Sequence, residues 1–419
     1  MDNDLTVKIR KARGRFAAMA ITYFLGVFND NFFKISVMML AAGSPAKKGM
    51  INALFAVPFI LFASYAGWMA DRFAKRNVVV FAKGLEVAAM LCGAAGILSG
   101  SWTLMMVMVF LMATQSTIFG PSLNGTIPEL YPRQYVPTAN GIIKVLVTGA
   151  ILLGTIASGY ALSAKQIVWG DSTTMGRVIV GGAVVGVAIL GVGVSFFVPR
   201  LPAADPKIKF PWTGPVETFR EFGSIIRDPL LLLIVLCDVF VWFVGAIQIT
   251  VVQDVSETQF GWSEAVTSNL IFAGLIGTAA GGLIATKIAG SRRWYRLLPW
   301  LMLAMAVPST LMAFTPMLPS GLLVWGIALL MVMIGTIVGL IMIPCESFIQ
   351  VRPAPEHKGR VIASANCGVF IGIFISAGVY YLLGTFLSAT ACFGAMAVMS
   401  VIVGVCLLIV LGKKEFGDA

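Results

Sequence analysis

Twelve predominantly apolar stretches, each long enough to cross a bilayer, leave this chain one kind of solvent to fold in. They run over residues 16–42, 50–70, 77–99, 102–124, 138–162, 176–198, 229–252, 265–287, 297–315, 320–346, 361–386 and 389–412. A helix needs about 20 such residues to span hydrocarbon, and only helices or closed barrels satisfy their backbone polar groups there. Of the 419 residues, 58% are hydrophobic and 12% charged, with a mean hydropathy of +0.91. Soluble domains carry about a quarter charged residues. The balance excludes a soluble enzyme, a disordered chain and a collagen-like fibre. The connections are too short for a second globular domain.

The formal charge of +11 becomes informative once it is placed along the chain. Five Lys and Arg precede the first span, three lie in 71–76 and five in 199–228. Four more lie in 287–296, three in 347–360 and two at the end of the chain. The alternate connections hold only Lys47, Lys48, Lys165 and Arg177. Basic residues concentrate in cytoplasmic loops, so both termini are expected in the cytoplasm, and no nucleic-acid partner is needed to explain the charge. The run Lys8 to Arg15 leads into an apolar stretch too long for a cleavable signal and reads as a retained first span. The six cysteines all lie in apolar stretches, without a CxxC pair, and read as small buried hydrophobes rather than a disulfide or metal framework. No metal or other cofactor is expected.

The longest connection divides the spans six and six. The expected domains are an N-terminal bundle over 1–198, a cytoplasmic linker over 199–228 and a C-terminal bundle over 229–419. The linker opens with Pro199, Pro202, Pro206, Pro211 and Pro215, which favour extended or turn backbone. Val216, Phe219, Phe222 and Ile226 then repeat at helical spacing, predicting an amphipathic interfacial helix. The halves also echo each other. Asn52-Ala53-Leu54-Phe55-Ala56 in span 2 resembles Asn269-Leu270-Ile271-Phe272-Ala273 in span 8, and Ala139-Asn140 resembles Ala365-Asn366.

Charges inside spans are few and therefore informative. Span 1 carries Asn29-Asp30-Asn31 and Lys34, with Tyr23, Asp30 and Lys34 on one helix face. Two readings fit: a self-neutralising Asp30–Lys34 pair, or the polar wall of a cavity. Asp238 holds the corresponding place in span 7. Glu86 and Lys83, one turn apart in span 3, form either an ion pair or a proton site. Gln115 and Gln248 line the cavity or bond between helices. Lys144 and Glu346 read as gate or packing residues. Asp30, Glu86 and Asp238 are each chemically able to carry a proton. His357 lies in a loop and is assigned no role.

After span 2 the chain reads Gly67-Trp68-Met69-Ala70-Asp71-Arg72-Phe73-Ala74-Lys75-Arg76. This resembles the G-x-x-x-D-R-x-G-R/K-R/K signature of the major facilitator superfamily, with Ala74 where Gly is usual. The chemistry suits a latch. Gly67 permits close helix approach. Asp71 can meet the positive N-terminus of a neighbouring helix such as span 11. Arg72, Lys75 and Arg76 can pair with carboxylates or lipid phosphates. The loop after span 8, with Gly282, Thr286, Lys287, Arg292 and Arg293, is a degenerate second copy without the aspartate. The resemblance implies an all-α membrane fold of two six-helix bundles related by a pseudo-two-fold axis. It also implies alternating access to a central cavity between spans 1, 4, 7 and 10, with the loop latching the outward-open state.

Within that superfamily, Gly26-Val27-Phe28-Asn29-Asp30-Asn31 with Lys34 resembles the bacterial lysophospholipid transporter group. Phe119-Gly120-Pro121, Gly125, Pro128-Glu129-Leu130 and Ala139-Asn140-Gly141 are similar to that group in order. At Ser122-Leu123-Asn124 the chain departs, where the group often carries a lysine. This resemblance implies a monomeric transporter of the bacterial inner membrane. It moves lysophospholipid from the outer to the inner leaflet, for a separate cytoplasmic acyltransferase. Lys34 would then hold the phosphate, Asp30 the amine, and Asn29 and Asn31 the glycerol hydroxyl or phosphate oxygens. Gln115 and Asp238 complete the expected substrate-binding set.

Three other readings compete. A proton-coupled antiporter exporting drugs or metabolites shares the loop and the buried acids. An integral-membrane acyltransferase would need an H-x-x-x-x-D motif, but the position five after His357 is Ile362. A signalling protein would need a sensor or effector domain for which the loops leave no room.

Overall fold

The computed structural model describes residues 3–41, 45–169, 173–288, 291 and 293–413, and the chain there is overwhelmingly helical. The helices are α1 (Asn3–Leu40), α2 (Pro45–Leu61), α3 (Ala63–Arg72), α4 (Lys75–Ser99), α5 (Trp102–Leu130), α6 (Val136–Ser163) and α7 (Met175–Ser195). After the linker come α8 (Pro215–Arg227), α9 (Pro229–Asp254), α10 (Glu264–Ile288), α11 (Leu298–Ala313), α12 (Ser320–Val351), α13 (Lys358–Phe386) and α14 (Ala389–Lys413). Two short strands, β1 (Ile167–Trp169) and β2 (Thr173–Thr174), pair antiparallel between α6 and α7. Hydropathy does not anticipate this strand pair.

Among the described residues, ten helices are long and apolar enough to cross a membrane, and the bent pair α2–α3 adds an eleventh span. The twelfth is α1, whose 38 residues exceed a span, although its Asn29-Asp30-Asn31 run lowers its hydropathy. These residues build an integral membrane protein with the twelve-helix, two-bundle architecture. The second span is broken rather than continuous. Pro58 lies inside α2, and the axis turns by 51° at the junction with α3. Proline removes one backbone donor and crowds the preceding turn, a standard cause of such a bend.

The chain forms two compact units. The first comprises residues 1–133, 146–225 and 353–370, and the second 134–145, 226–352 and 371–419. The first residues of α6 thus count with the second unit, and the first residues of α13 with the first. In the first unit, α4 packs against α5 and α7, and α1 against α7. Its core gathers Phe32, Phe33, Val37, Met90, Met108, Met112, Val180 and Val184, all almost fully buried.

In the second unit α10 packs closely along α12. Glycines at 277 and 281 face the backbone of Val332 and Thr336, and glycines at 335 and 339 face that of Gly274 and Thr278. A Cβ at any of the four would collide with main chain, which cannot yield as a side-chain tip can. Small residues let membrane helices approach until their backbones touch. Replacing Gly281 by leucine is expected to destabilise the unit by about 3 kcal/mol, the upper end of ordinary overpacking costs. The check is the thermal midpoint of the purified variant in detergent, which should fall by several degrees.

Candidate functional site

The polar residues of α1 point to two different places. Asp30 lies against α5, where the Ser116 hydroxyl donates to its Oδ2 at 2.7 Å. Gln115 Nε2 donates to Ser116 Oγ at 2.8 Å and stands 3.5 Å from Asp30 Oδ1. The second distance is longer than a strong hydrogen bond. Ser116 is therefore the direct partner of Asp30, and Gln115 orients it. Lys34, one turn on, places its Nζ 4.8 Å from the centre of the Phe55 ring of α2. Asp30 and Lys34 are not among the described ion pairs, although each feels the charge of the other across one helical turn. Asn31 donates to the carbonyl of Val27 at 2.8 Å, one turn back in its own helix.

Asn29 turns the other way and is fully buried. Its Nδ2 donates to Glu86 Oε1 and to the carbonyl of Val184, both at 3.1 Å. Lys83 Nζ meets Glu86 Oε2 at 2.5 Å and also lies 5.0 Å from the centre of the Phe119 ring. Lys83 and Glu86 are each about 1% exposed. Lys83 and Glu86 thus form a buried ion pair one turn apart in α4. Asn29 belongs to this buried brace between α1, α4 and α7, rather than standing beside Asp30. Buried charge is tolerated only when paired and hydrogen-bonded, and this arrangement supplies both conditions.

In the second unit, Asp238 of α9 is 5% exposed and interacts electrostatically with Glu346 of α12 and Lys144 of α6. Its Oδ1 is buried with no hydrogen-bond partner in the protein. Lys144 Nζ lies 4.8 Å from the centre of the Trp242 ring. Gln248 is engaged between helices, its Nε2 standing 3.1 Å from Met331 Sδ. Asn140 donates to Ser347 Oγ at 2.8 Å and to Gln350 Oε1 at 3.2 Å, tying the start of α6 to α12.

The last turn of α3 makes a compact electrostatic joint with the start of α13 within the first unit. Asp71 is fully buried and accepts from the backbone N–H of Gly359 at 2.7 Å and of Arg360 at 3.1 Å. These are N-terminal donors of α13, which have no partner within their own helix. The Arg360 side chain adds its Nε at 3.5 Å. The approach depends on two glycines. A Cβ on Gly67 would lie 2.8 Å from the Cα of Arg360, and one on Gly359 would lie 2.5 Å from Asp71 Oδ1. Lys75 is buried and paired with Glu129 of α5. Arg72 is half-buried, and Arg76 shares a shallow depression with Arg200 and Phe196.

The degenerate copy also brings helices close, without the aspartate. A Cβ on Gly141 of α6 would lie 2.9 Å from Thr286 of α10, whose hydroxyl donates to Leu283. Arg292 lies outside the described residues. The second unit has its own ion pair at the linker end, where Asp228 accepts from Arg352 Nε at 2.7 Å and caps α9 through the N–H of Leu230 and Leu231. Partial burial pushes the Asp228 carboxyl up, but the hydrogen bonds from Arg352 and the two amides, with the Arg352 charge, hold it below its ordinary value. Its stabilisation is therefore complete above the unfolded value of about 3.9 and is lost as pH falls through the lower folded value.

Sequence reasoning missed Ser116, Glu129 and Gly359 as partners. Only Glu129 carried a signal, as a carboxylate at a span end one loop from the basic cluster. Among the described residues no group of three or more His, Cys, Asp or Glu is placed to hold a metal.

Comparison with known proteins gives concordant results. The family profile of the Major Facilitator Superfamily matches residues 16–377. The lysophospholipid transporter LplT of Shigella sonnei (strain Ss046) is 25% identical over 376 residues, covering 87% of each chain. Among solved structures, the human organic anion transporter MFSD10 (TETRAN) superposes with a TM-score of 0.73 at 14% identity, covering 94% of this chain and 99% of its own. The proton:xylose symporter XylE bound to 6-bromo-6-deoxy-D-glucose superposes with a TM-score of 0.71 at 14% identity, covering 97% and 96%. At such identities these two structures speak for the fold.

Proposed function

The chain belongs to the major facilitator superfamily and is a secondary transporter rather than an enzyme, and on that premise we propose that its substrate is a lysophospholipid. It moves this substrate from the outer to the inner leaflet of a bacterial inner membrane by alternating access. Both termini face the cytoplasm, as the distribution of basic residues indicates. The translocated lipid is then open to reacylation by a separate cytoplasmic enzyme.

The observation that carries the reading is the similarity to lysophospholipid transporters over most of both chains. The chemistry of α1 and α5 supports it. A zwitterionic glycerophospholipid head presents an amine and a phosphate. Asp30, already oriented by Ser116, offers a carboxylate to the first. Lys34 offers an ammonium to the second, from the face of Phe55. An aromatic face holds a cation loosely enough for a phosphate to recruit it. Phe55, on whose face Lys34 rests, offers apolar surface for an acyl chain. Gly67, Asp71 and Gly359 form the latch that must open and close as access alternates, with Lys75 paired to Glu129 behind it and Arg72 and Arg76 giving its loop a basic surface.

The test is uptake of labelled lysophosphatidylethanolamine into proteoliposomes containing the purified protein, with and without an imposed pH gradient. Uptake well above that of protein-free liposomes is the expected result. No lysolipid uptake, together with pH-driven efflux of a cationic drug, would overturn the substrate assignment in favour of an antiporter.

A further inference from the structure

The first half of the linker does not hang free. Its backbone is tied to α3 at both ends: the N–H of Asp205 donates to the carbonyl of Asp71 at 2.9 Å, and Ser64 Oγ donates to the carbonyl of Gly214 at 2.8 Å. Phe210 packs edge-on against Trp68, with ring centres 5.0 Å apart. Gly214 takes a left-handed φ of +52° with Tyr65 directly over it, a position that leaves no room for a side chain.

This strap roofs a cavity of about 250 Å³ between α3, α8 and α13, all within the first unit. The volume is several times the roughly 30 Å³ share of one water, enough for a phosphate group but not for a whole lipid. Lys209, Arg220 and Arg360 line it, with Glu217 as the one carboxylate. Glu217 is engaged by Arg220 at 3.2 Å and by Thr213 at 2.9 Å, and Arg360 faces Asp71 at 3.5 Å, so with these pairs counted the lining keeps one positive charge, that of Lys209. Trp68 also lines the cavity, and its indole N–H is buried without an acceptor in the protein. An indole nitrogen can only donate. The site therefore combines excess positive charge with a donor that lacks its acceptor, the complement of an anionic oxygen.

We propose that this cavity binds the phosphate of an anionic phospholipid from the cytoplasmic leaflet. The shared chemistry is a phosphate-bearing anion. The surroundings favour a lipid over a soluble phosphate. Trp212, which also lines the cavity, is 87% exposed, and Phe219 and Val216 of α8 are 60% and 56% exposed. Helices of this kind lie at the boundary of head groups and acyl chains, where tryptophan is also enriched. The strap then places the head group against protein while α8 and Trp212 rest on lipid. Arg360 joins this site to the latch, because it also faces Asp71. The leaflet assignment rests on the orientation proposed above, but binding itself is independent of the transported substrate.

The experiment is lipid retention by the full-length protein in detergent, counted by native mass spectrometry during titration with phosphatidylglycerol or phosphatidylcholine. The wild type should bind phosphatidylglycerol in preference. The doubly substituted Lys209→Gln, Arg220→Gln protein should lose that preference, with affinity reduced on the order of tenfold for two removed surface cations. The charge-keeping pair Lys209→Arg, Arg220→Lys should retain it. Both side chains are exposed, and an unchanged thermal midpoint would confirm that folding is intact. Equal retention of phosphatidylglycerol by the wild type and the Gln pair would overturn the proposal. So would displacement of the lipid by inorganic phosphate at equal concentration, which would assign the cavity to a soluble anion.

Discussion

Replacing Asp71 by alanine is expected to slow transport by about an order of magnitude or more while leaving the chain folded. The carboxylate accepts from two N-terminal amides of α13 and faces the Arg360 guanidinium. Removing a helix cap costs about 1 kcal/mol, and losing a negative charge at a helix N-terminus costs up to about 2 kcal/mol in partly buried geometry. A change of about 2 kcal/mol moves a two-state equilibrium roughly thirtyfold. Asparagine should give a smaller defect, since its carbonyl oxygen can keep one of the two bonds while the charge is lost. Gly67→Ala should act in the same direction by pushing α3 away from the Arg360 backbone. The readout is the initial rate of substrate uptake alongside the thermal midpoint. A wild-type rate in the alanine protein would show that this contact is not part of the transport cycle.

The second large effect concerns the buried Lys83–Glu86 pair. Taking away one partner of a buried ion pair costs about 3–5 kcal/mol, because the remaining charge is stranded in a low dielectric. Lys83→Met is therefore expected to lower the thermal midpoint sharply and to reduce the yield of monodisperse protein. Replacing both residues by methionine should recover most of the loss, since apolar isosteres often match a buried pair in stability. Glu86→Gln can still accept from Asn29 but leaves Lys83 uncompensated, so it should resemble Lys83→Met. If the double variant proves as unstable as the single one, the pairing is not what stabilises this part of the bundle. If Lys83→Met is as stable as the wild type, the brace contributes nothing measurable.

The architecture was legible because hydropathy acts on whole segments. A run such as 320–346 has no alternative to a span, and misplacing its ends by a few residues changes nothing in the topology. The break in the second span was less visible, since Pro58 can be absorbed in a membrane helix or bend it, and the choice depends on neighbours. Side-chain partners were harder again. The 3.6-residue period puts Asp30 and Lys34 on one face, which suggests a mutual pair, yet Ser116 and Phe55 claim them separately. The same period puts Lys83 and Glu86 one turn apart, and there no neighbouring helix competes successfully. Asn29 adjoins Asp30 in sequence, but successive helical residues diverge by about 100°, which sends it to Glu86 instead. Asp71 could be aimed at a helix N-terminus from its place in a loop. Gly359, which lets α13 come close enough, carries no local mark because its role exists only across 288 residues of chain.

We propose that lysophospholipid passes by way of Asp30 and Lys34. This is tested most directly by the initial rate of labelled lysophosphatidylethanolamine uptake in proteoliposomes containing Asp30→Asn or Lys34→Ala protein. Each variant must first match the wild type in thermal midpoint and reconstituted amount. Loss of one charge-assisted hydrogen bond, about 1.5–3 kcal/mol, predicts that each rate falls by roughly tenfold or more. Rates equal to the wild type in both well-folded variants would contradict the account.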